Sequence, residues 1–461
     1  MTLIKSISGI RGTIGGKVGE GLSPIDIVKF TSAFGSWLQN KNNARKLTLV
    51  VGRDARISGP IVNDLVIASL RSLGINVIDL GLSTTPTVEM AVTMEKAHGA
   101  IILTASHNPK EWNALKLLNE KGEFISGQDG QDVLSIAEKE SFEFAQVDDL
   151  GKVTKRNDYI QKHIDAVLEL SYIDIDAIKA ADFHIVVDAV NSTGGIAIPL
   201  LLDALGVKKV DGIYCEPTGE FAHNPEPLPA HLTDLSETII EKKADLGITV
   251  DPDVDRLAMV CEDGTMFGEE YTLVAVADHV LSQKGGATVS NLSSTRALRD
   301  VTESYGHQYY ASAVGEVNVV NKMKEVNAII GGEGNGGVIL PALHYGRDAL
   351  VGIALFLSLL AKSKKSASAL RDSYPKYTIS KNKIQLSPSS NVDKVLLDMA
   401  KKYSKQEVDS TDGVKIYFDK EWVHLRKSNT EPIIRIYAES ENHEKANQLA
   451  EDIMTEIQNI L

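Results

Sequence analysis

The order of short apolar segments along the chain is the feature that most constrains its fold. Three successive stretches, beginning near residues 46, 182 and 287, each alternate in the order strand, helix, strand, helix, strand. The copies share this order but little sequence. Such repeats fold into parallel sheets whose strands are joined by right-handed crossover helices. The sequence therefore predicts an α/β protein with three consecutive βαβαβ-type domains, each built on a mixed sheet.

The character of the chain changes after residue 376. The stretch "WVHLRKSNTEPIIRIYAES" (422–440) reads as strand, loop and strand, and a helix with alternating polar and apolar residues follows it. Alternation of apolar and polar residues along the two strands is typical of an antiparallel sheet with one solvated face. We therefore expect a smaller C-terminal α+β domain. The boundaries that we predict for the four domains are 1–155, 156–258, 259–371 and 372–461.

Composition excludes several classes of protein. The net charge of −14 argues against a broad nucleic-acid-binding surface, because phosphate backbones are bound mainly by Lys and Arg. The two cysteines predict no disulfide framework and favour a reducing compartment. The N-terminus lacks the pattern of a signal peptide, and the longest apolar run, 350–361, is too short to span a bilayer. We expect a cytoplasmic protein without nucleic-acid or membrane partners.

A polar loop follows the third strand of each repeat. The three loops are "TASHNP" (104–109), "DPDVDR" (251–256) and "GEGNGG" (332–337). Ligands of open α/β sheets bind beyond the carboxyl ends of the strands, so three such loops predict one site shared by three domains. The alternative for the first loop by itself is that Ser106 or Asn108 only caps a following helix.

The second loop predicts a divalent metal site. It offers Asp251, Asp253 and Asp255 as oxygen ligands, which suit Mg²⁺ better than Zn²⁺, for which His or Cys is expected. A calcium loop of the EF-hand type is excluded, because Arg256 stands where that loop needs glycine. A solvated acidic turn is the remaining alternative, although carboxylates this crowded repel one another unless a cation compensates.

Two further stretches offer groups for a phosphorylated sugar. In "GEGNGG", Glu333 and Asn335 could accept from and donate to vicinal hydroxyl groups, and the glycines allow close approach. In "RKSNTEPIIR", two guanidinium groups with interleaved hydroxyls and turn amides could form a phosphate clamp. A surface turn is the alternative for that stretch. The residues of the predicted clamp are Arg426, Ser428, Asn429, Thr430 and Arg435.

Together these loops indicate a phosphorylated polyol substrate, a divalent metal, and a serine close to both. Serine is a poor nucleophile by itself, so Ser106 needs a base or carries the phosphoryl group itself. Lys116, which we predict in the same loop, is the candidate proton carrier. A non-catalytic sugar-phosphate sensor is the alternative from a different class, but it gives no reason to retain the serine, the aspartates and the lysine together.

These motifs, in this order, resemble the motif series of the α-D-phosphohexomutases. The series comprises "SGIRG" (8–12), "VGRDARISG" (51–59), "TASHNP", "DPDVDR", "GEGNGG" and "RKSNTEP" (426–432). Within that family the chain is most similar to phosphoglucosamine mutases. The resemblance implies a four-domain, heart-shaped isomerase that interconverts glucosamine 6-phosphate and glucosamine 1-phosphate and so feeds UDP-N-acetylglucosamine synthesis. Phosphomannomutase or phosphoglucomutase activity is the near alternative, and the oligomeric state is open between monomer and homodimer.

The resemblance also implies roles for the catalytic candidates. Ser106 would be a phosphoserine with His107 beside it, and one of its oxygens would join the three aspartates in holding Mg²⁺. Lys116 and Arg11 would serve proton transfer and charge stabilisation, and Arg256 would face the transferring phosphoryl group. The sugar would pass through a bisphosphorylated intermediate, so a hexose bisphosphate would be the activator.

By the same resemblance, each predicted domain carries one loop: the phosphoserine loop, the metal-binding loop, the sugar-binding loop and the phosphate-binding loop, in chain order. Glu333 and Asn335 would hold sugar hydroxyls, and the fourth domain would hold the phosphate that does not react. The chain departs from the common family pattern at Gly337, where many members carry a histidine. The sequence therefore leaves the second acid/base group undefined.

Overall fold

The computed structural model describes residues 2–6, 9–386, 391–427 and 433–460. The chain forms two compact units. Unit 1 comprises Met1–Thr272 and Gly336–Ser368, and unit 2 comprises Leu273–Asn335 and Ala369–Leu461. Among the helices of the described ranges, none has the length and apolar character needed to cross a membrane.

The N-terminal part of unit 1 is built on a seven-stranded mixed sheet. Its elements are β1 (Ile4–Ser6), β2 (Gly9–Thr13), α1 (Pro24–Asn42), β3 (Thr48–Arg53), α2 (Gly59–Ser72), β4 (Asn76–Leu82), α3 (Thr85–Met94), β5 (Ala100–Leu103), β6 (Trp112–Leu118), α4 (Gly127–Lys139) and β7 (Val153–Lys155). The strand order is β1-β2-β6-β5-β3-β4-β7, with β5, β3, β4 and β7 parallel and β6 antiparallel to β5.

Local sequence explains how this sheet is covered. Helix α1 begins with a capping box, in which the Ser23 and Asp26 side chains each bind the other's backbone amide, and Pro24 occupies its first turn. The apolar face of α1, including Phe34, packs with Leu49 and Ile101 of the central strands in one buried cluster. Apolar strands covered by helices place the carboxyl ends of β3 and β5 at one edge of the sheet.

The second repeat of unit 1 forms a four-stranded sheet in the order β11-β10-β8-β9. Its elements are α5 (Tyr159–Leu168), α6 (Ile175–Ala181), β8 (His184–Asp188), α7 (Gly194–Leu205), β9 (Lys209–Ile213), α8 (Thr233–Lys242), β10 (Leu246–Val250) and β11 (Leu257–Cys261). Strands β10, β8 and β9 are parallel, and β11 is antiparallel to β10. The acidic loop is the connection between β10 and β11.

The third repeat and the C-terminal part follow. The third repeat contains α9 (Glu269–Gln283), β12 (Thr288–Asn291), α10 (Ala297–Ser304), β13 (Tyr309–Ser312), α11 (Glu316–Val326), β14 (Ile330–Glu333), β15 (Gly337–Ile339) and α12 (Ala349–Ser363). Strand β12 lies between β13 and β14 and is parallel to both. The C-terminal part contains α13 (Ala367–Asp372), β16 (Thr378–Gln385), α14 (Val392–Lys402), β17 (Glu407–Asp409), β18 (Val414–Tyr417), β19 (Trp422–Lys427), β20 (Ile433–Ser440) and α15 (His443–Ile460).

The predicted fold class is confirmed: three mixed α/β sheets precede a C-terminal antiparallel sheet in the order β16-β20-β19-β18-β17. One local prediction is wrong. Lys116 lies on strand β6 rather than in the loop of Ser106, and its register partner on β5 is Ile102. Strand β6 is buried on both faces, so its sequence has no alternation by which to recognise a strand. Glu333, which the sequence placed in the polar loop 332–337, is the last residue of strand β14.

Candidate active site

Ser106 lies in the turn that follows β5. Its φ of +50° is in the left-handed region, which a residue other than glycine adopts only where its surroundings impose it. The Ser106 amide donates to Thr104 Oγ1 at 2.9 Å, and the hydroxyl donates to Asp251 Oδ2 at 2.7 Å. The residue is 8% exposed. The turn thus directs the serine oxygen at the acidic loop.

Arg56 holds this turn in shape. Its side chain is fully buried, and Nε donates to Asp54 Oδ2 at 3.0 Å. The two Nη groups donate, at 2.5–2.9 Å, to the backbone carbonyls of Ser106, Asn108, Pro109 and Trp112. All five N–H groups of the guanidinium therefore have an acceptor, which is what its burial requires. No role for Arg56 was predicted from the sequence, although the residue lies in the motif "VGRDARISG".

The acidic loop brings together three fully buried carboxylates. Ligand oxygens of Asp251, Asp253 and Asp255 lie within 4.8 Å of one another. Asp251 Oδ1 accepts from the backbone amides of Asp255 and Arg256 at 3.2 Å each. Burial and the two neighbouring carboxylates raise the pKa of Asp251 well above its ordinary value. Among the described residues, neither Asp253 Oδ1 nor Asp255 Oδ1 has a hydrogen-bond partner. These two buried carboxylate oxygens form a donor set that fits a hard divalent cation.

Two basic side chains contact the Oδ2 atoms of Asp253 and Asp255. Lys116 Nζ lies 2.7 Å from Asp253 Oδ2 and 3.3 Å from Asp255 Oδ2. Burial would lower the pKa of Lys116, but the two carboxylates outweigh it, so the pKa lies above its ordinary value and the ammonium form is held. Arg347 Nη2 donates to Asp255 Oδ2 at 2.7 Å. Thr85 Oγ1 donates to Asp253 Oδ2 at 2.5 Å.

Arg347 and the side chains that follow belong to none of the motifs that the sequence pointed to. Asp348, the next residue, caps helix α12: its Oδ1 accepts from the backbone amides of the first turn. Asp348 Oδ2 lies 2.8 Å from His163 Nε2 and 3.2 Å from His344 Nε2. These three side chains are also close enough together to hold a metal ion, but the two short contacts are those of hydrogen bonds. We infer that this cluster stabilises the start of α12. At that point the Ala349 amide donates to the Val254 carbonyl of the acidic loop at 3.2 Å.

The remaining catalytic candidates surround the same loop. Burial, followed by the charges of Arg256 and Arg347, lowers the pKa of His107 to about 2, so this imidazole is neutral at neutral pH. Its Nδ1 lies 3.3 Å from Ser106 Oγ. Arg11, on β2, lies opposite Ala114 of β6, and burial together with the charge of Arg256 lowers its pKa. In unit 1 the structure thus brings together the serine, the acidic loop, the lysine and these basic side chains.

The candidates for binding the substrate lie in unit 2. Glu333 is buried, and its Oε1 accepts from Asn291 Nδ2 at 2.8 Å, whereas Asn335 is partly exposed. Arg426 on β19 lies directly opposite Arg435 on β20 in the strand pairing, so the two residues share one face of the sheet. The other predicted members of the clamp fall outside the described residues: Ser428, Asn429 and Thr430.

Comparison with known proteins identifies the family. Profiles of the phosphoglucomutase/phosphomannomutase α/β/α domains I, II and III match residues 3–144, 161–264 and 268–377, and the profile of the C-terminal domain matches 387–456. The sequence is 37% identical to a phosphoglucomutase/phosphomannomutase of Thermococcus kodakarensis, over 95% of this chain and 96% of that one. It is 32% identical to a phosphoglucosamine/phosphogalactosamine mutase of Sulfurisphaera tokodaii, over 96% and 97%.

A solved structure agrees with this result. The crystal structure of a phosphoglucomutase/phosphomannomutase family protein from Burkholderia thailandensis matches with a TM-score of 0.83 and 25% identity, over 99% of this chain and 97% of that one. Similarity to these proteins extends over nearly the whole length of the chain. The chain therefore belongs to the phosphoglucomutase/phosphomannomutase family, the α-D-phosphohexomutases, and is a phosphohexomutase of the isomerase class.

Proposed function

We propose that the enzyme interconverts glucosamine 6-phosphate and glucosamine 1-phosphate, with Ser106 as the residue that carries the phosphoryl group. The observation that carries the mechanism is the Ser106 hydroxyl bound to Asp251, beside two carboxylates that each have one oxygen without a hydrogen-bond partner among the described residues. The glucosamine preference is supported by the resemblance of the motif series and by the similarity to the mutase of Sulfurisphaera tokodaii. The product would feed UDP-N-acetylglucosamine synthesis.

Two phosphoryl transfers make up the proposed reaction. In the first, the free hydroxyl of the sugar phosphate attacks phosphorylated Ser106; the bond from phosphorus to Oγ breaks, and the hydroxyl proton finally restores the serine hydroxyl. The resulting bisphosphate turns around within the site. In the second transfer, Ser106 Oγ attacks the other phosphoryl group, the bond from phosphorus to the sugar oxygen breaks, the serine proton passes to that oxygen, and the isomeric monophosphate leaves. Added hexose bisphosphate activates the enzyme because it can phosphorylate a free Ser106.

Side chains of unit 1 supply positioning and charge for these transfers. Arg256 Nε is buried and has no hydrogen-bond partner among the described residues, so we assign it to the oxygens of the transferring phosphoryl group. Lys116 is held as an ammonium group by the acidic loop, which suits it to stabilise charge, with Arg11 in support. The three aspartates and an oxygen of phosphorylated Ser106 would hold Mg²⁺. When bound there, Mg²⁺ would neutralise charge on the phosphoryl group.

Side chains of unit 2 are proposed to bind the rest of the substrate. Glu333 and Asn335 would contact the sugar hydroxyls. Arg426 and Arg435, adjacent on β19 and β20, would grip the phosphate that does not react, because paired guanidinium groups suit the oxygens of a phosphate. The clamp would be completed by Ser428, Asn429 and Thr430, which lie outside the described residues.

The mass of the intact protein tests the role of Ser106. We expect the purified chain, after incubation with glucose 1,6-bisphosphate, to gain the mass of one phosphoryl group. Ser106→Ala should lose both this gain and the mutase activity while it keeps the thermal unfolding midpoint, since a hydroxyl in a turn contributes little to packing. The control is Ser141→Ala, at an exposed serine, which should behave as the wild type does. Turnover or phosphorylation of Ser106→Ala would contradict the mechanism.

A comparison of substrates tests the sugar preference. We expect kcat/KM to be highest for glucosamine 6-phosphate when it is measured beside the 6-phosphates of glucose and mannose, with hexose bisphosphate present. The second candidate function is phosphoglucomutase/phosphomannomutase activity, which the name of the Thermococcus kodakarensis relative favours. A higher kcat/KM for glucose or mannose phosphate would select that second function.

A further inference from the structure

A chain of hydrogen bonds in unit 2 links the two groups that we assign to the substrate's phosphate and hydroxyls. Asp412 precedes β18, and its Oδ2 accepts from Arg426 Nε at 2.8 Å and from the backbone amide of Val314 at 3.0 Å. The next amide along the chain, that of Gly315, donates to Glu333 Oε1 at 3.1 Å. Two consecutive amides therefore connect the arginine of the clamp with the carboxylate of the sugar loop.

A second route between the same two groups closes this chain into a ring. Asn291 Nδ2 donates to Glu333 Oε1, and Asn291 Oδ1 accepts from the Ser293 amide at 2.9 Å. The Ser293 hydroxyl lies 3.0 Å from His424 Nδ1, and His424 Nε2 lies 2.7 Å from the Asp412 carbonyl oxygen. The carbonyl can only accept, so Nε2 donates to it. Burial lowers the pKa of His424 to about 3, so in the neutral ring Nδ1 accepts from Ser293. Both routes end on Asp412, one on its side chain and one on its backbone.

The contact with Asp412 determines the orientation of the Arg426 guanidinium group. The carboxylate contacts the guanidinium at Nε, so the far side of the planar fork, at Nη1, is directed away from it. The Arg426 side chain is 21% exposed. A long side chain with that much exposure samples several rotamers unless a partner fixes it. The bond from Asp412 holds one edge of the guanidinium and thereby sets its plane.

We propose that Asp412 is a positioning residue, which fixes the orientation of Arg426 relative to Glu333 and so sets the span between the phosphate-binding and hydroxyl-binding groups. This inference rests on the function proposed for those two residues. A hexose phosphate is a nearly rigid ligand, so it can use both groups fully only when their separation matches its own. The carboxylate also opposes phosphate binding by its charge, but the loss of orientation outweighs the loss of that charge because the site is partly exposed to water.

Steady-state kinetics with glucosamine 6-phosphate as substrate test the proposal. We expect Asp412→Ala to raise KM about tenfold, the scale of one charge-assisted hydrogen bond, while kcat falls by less. Asp412→Asn keeps an acceptor oxygen, so it should raise KM less than the alanine variant does. The matched control is Asp393→Ala, which removes a carboxylate that pairs with Lys427, the neighbour of Arg426, at 3.0 Å. That control should leave KM at the wild-type value.

A double-mutant cycle with Arg426→Ala completes the test. If Asp412 acts through Arg426, the double variant should have the same KM as Arg426→Ala. If KM is unchanged in Arg426→Ala, Arg426 does not bind the phosphate, and Asp412 then has no positioning role. A raised KM in Arg426→Ala together with an unchanged or lowered KM in Asp412→Ala would overturn only the positioning role. Effects that multiply independently in the double variant would also overturn it.

Discussion

Within the acidic loop, the contacts of each carboxylate decide whether it stays ionised. Asp251 is pushed toward the neutral form by burial and by its two neighbours. Burial acts on Asp253 in the same direction, but Lys116 outweighs it and holds the pKa of Asp253 below its ordinary value. Within the described part of the chain, Asp253 Oδ1 and Asp255 Oδ1 have no hydrogen-bond partner, so a cation bound to them displaces no hydrogen bond. Lys116 thus keeps ionised the carboxylate that we expect to contribute most to metal binding.

The variant Asp253→Asn tests whether this carboxylate binds the metal. The substitution conserves shape but removes one of the three carboxylate ligands and the closest ion-pair partner of Lys116. We expect the Mg²⁺ concentration for half-maximal activity to rise by roughly tenfold or more. Calorimetric titration with Mg²⁺ should show the same loss of affinity. Asp148→Asn, at an exposed carboxylate, is the control and should titrate as the wild type does. Wild-type Mg²⁺ dependence in Asp253→Asn would show that the metal binds elsewhere.

At the scale of an element, the period of two along a strand explains why the paired arginines share one face of the C-terminal sheet. Val423 and Leu425 of β19 and Ile434 and Ile436 of β20 point into the buried core of that part of the chain. The residues that alternate with these along each strand point the other way, and among them Arg426 and Arg435 are register partners. The alternation that buries the apolar face therefore also builds the proposed clamp.

Arg435→Ala tests the clamp at this scale. Arg435 is exposed, so its removal should leave the sheet folded but raise KM for glucosamine 6-phosphate. We also expect a lower kcat, because binding energy from the phosphate that does not react helps to hold the reacting end in line. Activity should then depend more strongly on added hexose bisphosphate, since the intermediate escapes more often. Lys401→Ala on α14 is the control. Unchanged KM and kcat in Arg435→Ala would mean that the phosphate is bound by other residues.

At the scale of the whole molecule, unit 2 is held together in part by a buried carboxylate. Glu439 Oε1, on β20, accepts from Trp422 Nε1 at 2.5 Å and from the backbone amide of Arg296, just before α10, at 3.0 Å. The bond to Arg296 joins segments that lie 143 residues apart. Burial raises the pKa of Glu439 from 4.5 to about 7, although these donors and the charge of Lys415 act in the opposite direction.

This shift predicts how the stability of the fold depends on pH. A carboxyl whose pKa is higher in the folded chain than in the unfolded one contributes stability below pH 4.5, and that contribution is lost as the pH rises through about 7. Glu439→Gln keeps an acceptor and removes the titration. The unfolding midpoint of the wild type should therefore fall relative to that of Glu439→Gln between pH 5 and pH 8 (roughly the window of the two pKa values). Midpoints that run parallel across this window would contradict the shift.

The sequence by itself determined the fold class and pointed to the polar loops at which we place the chemistry. Apolar runs in a repeated strand and helix order are local patterns, and the carboxyl ends of parallel strands meet at one edge. This is why Ser106 and Asp251 could be expected close together, and the structure joins them by a hydrogen bond. The phosphate-binding role of Arg426 stays a prediction that Arg426→Ala tests, and the hydroxyl-binding role of Glu333 stays a prediction as well.

Only the tertiary structure decided which side chains from distant segments complete these loops. Arg56 reaches the Ser106 carbonyl across 50 residues, Arg347 reaches Asp255 across 92, and Asp412 accepts from the Val314 amide across 98. None of these contacts follows from a local period or a short motif, because each depends on how whole sheets and helices pack. The position of Lys116 on β6 was hidden for a related reason. A strand buried on both faces carries no alternating pattern, and only its pairing with β5 places that lysine at the acidic loop.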